Sequence, residues 1–123
     1  MLADYTVHRY TVNRDTLAAV REPTFFVLTA LLPGPLHGYG IIKSVEEMSG
    51  GRVTLRAGTL YAALDRLEKA GAVALDREES EGGPPRRYYR LTPEGIDLLE
   101  AERRRLEENA SLVREGLRQV RPA

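Results

Sequence analysis

Gly58-Thr59-Leu60-Tyr61-Ala62-Ala63-Leu64-Asp65-Arg66-Leu67-Glu68-Lys69 is the stretch that decides the fold. Leu60, Ala63, Leu64 and Leu67 recur at three- and four-residue spacing, which places them on one face of a helix that ends at Ala70-Gly71. The opposite face carries Gly58, Ala62, Asp65 and Lys69, with Thr59 and Arg66 on one flank and Tyr61 and Glu68 on the other. A helix apolar on one side and small at the start of the other packs on a core and leaves its N-terminal half open to close approach.

Upstream, Pro23 after Glu22 suits the first turn of a helix over Thr24 to Leu32, which Pro33-Gly34-Pro35 ends. From Gly38 the residues Tyr39, Ile42, Val45 and Met48 recur at helical spacing, with Ile41 widening the stripe, until Ser49-Gly50-Gly51 stops the helix. Val53 to Leu55 is a short β-prone piece between this helix and the next. Downstream, Val73, Leu75 and Arg77 alternate with small or polar neighbours and Arg87 to Leu91 is a second extended run. Glu78 to Pro85, rich in charge, Gly and Pro, separates them as the tip of a hairpin. Thr92-Pro93-Glu94 supplies a cap, a first-turn Pro and a first-turn acid for a helix running to about Val120. The fold class is therefore mainly α with a small β-hairpin: a winged helix-turn-helix followed by a long C-terminal helix. Residues 22–91 form the winged helix-turn-helix and 92–123 the added helix. Residues 1–21 are an extension whose β-prone run Tyr5 to Val12 and helical piece Arg14 to Val20, capped by Asn13, have no assigned role.

A chain of 123 residues is about one domain, and 42% apolar with 29% charged residues fits a globular protein with a charged surface. Without Cys there is no disulfide framework and no thiolate nucleophile or ligand. The N-terminus carries no signal peptide and the longest apolar stretch, Phe25 to Leu32, is far too short to span a bilayer, so a cytoplasmic protein without membrane contact is expected. Eighteen Lys plus Arg balance eighteen Asp plus Glu. Residues 51–91 hold eight basic and six acidic residues, so nucleic-acid binding has to rest on local geometry rather than on bulk charge.

Local geometry offers two features. Small residues at the start of the third helix let it approach a duplex, its amide N–H groups can meet phosphates, Thr59 and Tyr61 add hydroxyls, and Arg56 and Arg66 add charge. The wheel equally allows Asp65 to pair with Lys69 on a solvated face and Tyr61 to pack its ring on the wing. In the hairpin, Pro84-Pro85-Arg86-Arg87-Tyr88-Tyr89-Arg90 sets Arg86 and Arg87 at the tip, in reach of a flanking phosphate or a narrow minor groove. The plain alternative is that they balance Glu78, Glu79 and Glu81 across the hairpin.

In the last helix Ile96, Leu99, Arg103, Leu106, Ala110, Val113, Leu117 and Val120 keep a three-four spacing broken only by Arg103, the pattern of a coiled-coil seam. The seam outruns the core of so small a domain, which favours a homodimer in which Arg103 pairs with an acid such as Glu102 or Glu107 of the partner. His37 has only His8 for company and no carboxylate cluster at ligand spacing, so it is read as a capping or corner-packing residue. No nucleophile triad, phosphate loop or paired-carboxylate site stands out, and neither an enzyme, a metal nor a cofactor is expected.

Pro35-Leu36-His37-Gly38-Tyr39, Gly58-Thr59-Leu60-Tyr61 with Leu64, Leu67 and Glu68, and Arg87-Tyr88-Tyr89-Arg90-Leu91-Thr92-Pro93-Glu94-Gly95 stand in one order and spacing, and together they resemble the PadR family of transcriptional regulators from about Glu22 onward. The resemblance implies a homodimeric repressor on a palindromic DNA operator, with the third helix in the major groove and the wing on the flanking backbone. Tyr39, Arg56, Thr59, Tyr61, Arg66 and Lys69 are then candidate DNA-binding residues, with Arg86 and Arg87 at the wing. It further implies release by a small aromatic or cationic effector held between helices, for which Phe25 and Phe26, with Tyr39, are candidates that serve equally well as core. Arg56-Ala57 stands where the family often has Ser-Pro, which removes a capping hydroxyl and adds a cation. The single C-terminal helix resembles the short-armed subfamily. A winged helix that binds only protein is the rival reading, since the net charge is zero and the exposed face includes Asp65 and Glu68.

Overall fold

The computed structural model describes residues 21–121. The chain runs α1 (Glu22–Ala30), β1 (Leu36–His37), α2 (Gly38–Met48), α3 (Ala57–Lys69), β2 (Val73–Glu79), β3 (Arg86–Leu91) and α4 (Pro93–Val120). Expectations for Tyr5 to Val12, His8, Asn13 and Arg14 to Val20 fall outside the described residues.

The predicted apolar face of α3 is buried at all four positions, Leu60, Ala63, Leu64 and Leu67. It packs with Val27, Leu28 and Leu31 from α1 and the turn after it, Ile41 and Val45 from α2, Val73 and Tyr89 from the hairpin, and Leu98 from α4. In α2 the buried face is Gly38, Ile41 and Val45, whereas Tyr39 and Met48 are exposed. The inward stripe is therefore one position off the expected one, because the helix presents the face that α1 and α3 leave open for it. Glu22 and Arg52 join the start of α1 to the loop before α3 at 2.7 Å.

The β-prone piece Val53 to Leu55 is not a strand. Val53 and Leu55 are buried in an irregular segment that carries the chain into α3. The third strand is β1, two residues long, pairing antiparallel with β3 through Leu36 to Tyr89 and His37 to Tyr88, so the sheet order is β1-β3-β2. Between β2 and β3 the register slips at Asp76, a bulge that leaves Leu75 opposite Tyr89 and Arg77 opposite Tyr88. The bulge turns Arg77 over the Tyr88 ring, 4.0 Å from its centroid.

The start of α4 is fastened to the end of α3. Thr92 caps α4 by accepting the Gly95 N–H at 3.0 Å, while its own hydroxyl donates to the Gly71 carbonyl at 2.6 Å and its amide to the Ala72 carbonyl at 3.1 Å. Gly95 is required there: a Cβ at that position would lie 2.0 Å from the Ala72 carbonyl oxygen. Beyond Glu102 every residue of α4 to Val120 is exposed.

Candidate functional site

Three elements meet where β1 turns into α2. His37 is the N-cap of α2, its Nδ1 accepting the Gly40 N–H at 3.1 Å, so the capping role read from the sequence is the one it has. Gly38 is the landing place of Tyr61 from α3: a Cβ on Gly38 would sit 2.2 Å from the Tyr61 hydroxyl. The Tyr61 ring thus packs on the helix corner, yet stays 45% exposed. From the wing, Nη1 of Arg86 stands 3.3 Å from Nε2 of His37. Tyr39, 69% exposed, lies stacked beside the imidazole with ring centroids 6.4 Å apart, and Tyr88 meets it edge-on at 5.2 Å.

The start of α3 faces out beside this corner. Arg56 is its N-cap residue and makes no side-chain cap, which leaves first-turn amide N–H groups open. Thr59 and Arg66 are exposed, and neither Arg56 nor Arg66 has an ion pair among the described residues. Lys69 differs: its ammonium lies 3.1 Å from Asp65, the self-contained pairing that the wheel allowed.

The wing sorts its cations. Arg77 holds Asp76 at 2.9 Å and Glu79 at 2.7 Å, Arg87 faces Glu78 at 3.5 Å, and Arg90 faces Asp76 at 3.6 Å. The hydrogen bond from Arg77 holds the Glu79 carboxyl below its ordinary range, and the same carboxylate raises the guanidinium. Arg86 alone among the wing arginines has no carboxylate partner among the described residues. Arg86 and Arg87, equivalent in the sequence, are therefore unlike: Arg87 is balanced within the hairpin and Arg86 is turned to the helix corner. That asymmetry follows from which carboxylate is taken: the register sets Glu78 opposite Arg87 and Glu79 opposite Arg86, but Arg77 holds Glu79, which no local pattern displays. Burial pushes the Tyr89 phenol up, as befits a ring in the core under the wing.

Along α4 the expected seam divides. Leu99 is 8% exposed and belongs to the chain's own core, because the first turns of α4 lie on the domain. Ile96, Leu106, Ala110, Val113, Leu117 and Val120 are exposed. Arg103 pairs within its own helix, with Glu100 and with Glu107 at 2.8 Å, instead of awaiting a partner's acid, since both lie one turn away on the same face. Phe25 and Phe26 are half-buried against the core, edge to face at 5.6 Å, with the Arg52 guanidinium 5.9 Å from the Phe26 ring.

Among the described residues no group of acids and histidines is placed to hold a metal ion, and no helix is long and apolar enough to cross a membrane. The profile of the transcriptional regulator PadR-like family matches residues 27–101. The chain is 39% identical to the transcriptional regulator Rv3488 of Mycobacterium tuberculosis, covering 80% of this chain and 86% of that one. It is 47% identical over 81 residues to an uncharacterised 37.1 kDa protein in transposon TN4556 of Streptomyces fradiae, covering 66% of this chain and 22% of that one. Several curated relatives are longer, the chain spanning less than half their length. Among solved structures, Bacillus subtilis PadR in complex with operator DNA superposes with a TM-score of 0.59 at 26% identity, covering 66% of this chain and 46% of that one.

Proposed function

The chain belongs to the PadR-like family of transcriptional regulators, and on that premise we propose that it is a sequence-specific DNA-binding protein, a homodimeric repressor of a palindromic operator that a small aromatic or cationic effector releases. The observation that carries this reading is the convergence at the β1–α2 corner. Tyr61 from α3 and Arg86 from the wing both reach the His37-Gly38 step, so the helix that would enter the major groove and the hairpin that would lie on the backbone share one anchor.

Around that anchor Thr59, Tyr39, Arg56 and Arg66 are exposed, which suits phosphate and base-edge contacts, and Arg86 suits the flanking backbone. Arg87 and Lys69 contribute less, because each gives up an ion pair to reach DNA. The apolar stripe Leu106, Val113, Leu117 and Val120 supports pairing with a second copy through α4, which sets two recognition helices about 34 to 36 Å apart. Bacillus subtilis PadR on its operator supports the mode of binding. Phe25 and Phe26, half open beside the core, are the effector candidates.

Fluorescence anisotropy on a labelled duplex from the DNA immediately upstream of the protein's own coding region, against a scrambled duplex over a salt series, tests the proposal. Tight, salt-steep and sequence-selective binding supports it. Equal, weak and salt-independent binding to both duplexes overturns it and turns the search to a protein partner for the α3 face, where Asp65 and Glu68 lie.

A further inference from the structure

His37 and Arg86 face each other across 3.3 Å. The Nδ1 atom of His37 accepts the Gly40 N–H, so a neutral ring carries its proton on Nε2 and presents an N–H there. The group opposite, 3.3 Å away, is a guanidinium nitrogen, which has donors only. Two donors at that distance do not bond to each other, and both can donate to one acceptor oxygen. The nearest acids are engaged or set aside: the carboxylate of Glu79, across the register from Arg86, is held by Arg77 and by the Tyr88 hydroxyl. Stacked Tyr39 and edge-on Tyr88 keep the imidazole plane aimed at Arg86.

We infer that His37 Nε2–H and the Arg86 guanidinium together form a two-donor cradle for one unesterified oxygen of a DNA backbone phosphate. An oxygen about 2.8 Å from each nitrogen closes a triangle on the 3.3 Å edge. Arg86 supplies charge and His37 supplies direction, and the phosphate held there ties the tip end of β3 to the first turn of α2. Glu79 and Glu81 line the groove that Arg86 also borders, which disfavours a small free anion, so a phosphate is held there only as part of a duplex anchored by other contacts. The inference rests on the DNA-binding reading above and specifies one contact within it.

The test compares wild type, Arg86→Ala, Arg87→Ala, His37→Asn and the Arg86→Ala/His37→Asn double variant by anisotropy on the upstream duplex over a salt series. Asn keeps a side-chain acceptor at the N-cap and lacks the distal N–H, and thermal melting confirms that each variant is folded. Arg86→Ala lowers the slope of log affinity against log salt by about 0.9, one phosphate's worth, and Arg87→Ala, whose guanidinium faces Glu78, lowers it by less. His37→Asn weakens binding about tenfold, the scale of a hydrogen bond to a charged group, without changing the slope. The double variant loses less than the product of the two single losses, because both act on one oxygen. Should wild type bind selectively and salt-steeply while folded His37→Asn binds as tightly, or while Arg86→Ala keeps the full slope, the cradle is wrong and the DNA reading stands. A wild type that binds neither selectively nor salt-steeply removes both.

Discussion

The two parts of α4 both carry Leu and Glu, but every arginine of the helix lies in the outer part, and the two live by different physics. From Pro93 to Glu102 the helix is a piece of the domain: Gly95, Leu98, Leu99 and Glu102 are buried, Thr92 caps it, and Gly95 lets it touch the Ala72 carbonyl. Even Glu102 is covered, paired with Arg105. From Arg103 to Val120 the same helix touches none of the core and is supported by ion pairs one turn apart, Arg103 with Glu107 and Arg118 with Glu115. Such pairs are worth only about 0.2–0.5 kcal/mol each, so a solitary outer segment is a marginal helix. An identical pattern of heptad-spaced apolar residues thus means packing in the first part and, on our proposal, self-association in the second.

Four measurements break or sharpen that contrast. Leu98→Ala, in the inner part, costs about 2–5 kcal/mol in urea unfolding, whereas Leu112→Ala in the outer part, 73% exposed and off the seam, changes stability by less than about 0.5 kcal/mol. Equal losses at both positions would erase the distinction. Val113→Asp with Leu117→Asp raises the dimer dissociation constant about a hundredfold or more in sedimentation velocity, through charges placed on an apolar seam, with the melting of the core retained in the monomer. An unchanged sedimentation coefficient would count against α4 as the pairing surface.

Smaller still, Thr92→Ala costs about 1 kcal/mol by loss of the cap, and Thr92→Ser recovers most of it; the shift in urea midpoint reads both. The smallest effect is a pH dependence confined to the boundary between the two parts. Hydrogen bonds from Arg103, then Arg104, hold Glu100 at about 2, below its ordinary 4.5. A carboxyl depressed in the folded state stabilises it above about 4.5 and loses that contribution as pH falls toward about 2. Circular dichroism at 222 nm therefore declines across that window, and Glu100→Gln flattens the decline.

Patterns that are local in the chain were legible beforehand. The α3 stripe, the hairpin, the Thr92 cap and the His37 cap each depend on residues within a turn or two of one another, and each stands where the sequence puts it. What escaped depends on partners far along the chain. Strand β1 is two residues whose strand partners among the described residues are Tyr88 and Tyr89, some fifty positions on, so no propensity marks it. The difference between Arg86 and Arg87 comes from Arg77 taking the Glu79 carboxylate that faces Arg86 across the bulged hairpin, and the inward face of α2 comes from where α1 and α3 leave room. Leu99 fits a seam and a core equally well on a wheel, and only the reach of the domain decides.

The junction at Gly71, Ala72, Thr92 and Gly95 works as a welded elbow. It clamps the turn that follows α3 to the N-cap of α4 through the Gly71 and Ala72 carbonyls. Twenty-eight residues at 1.5 Å rise make α4 an arm of about 42 Å, so a tilt of about 5° at the elbow moves the far end about 4 Å. Leverage of that size is comparable to the axial step between neighbouring base pairs. On our proposal, the distance between the two recognition helices depends on how stiffly one glycine and one threonine hold that angle.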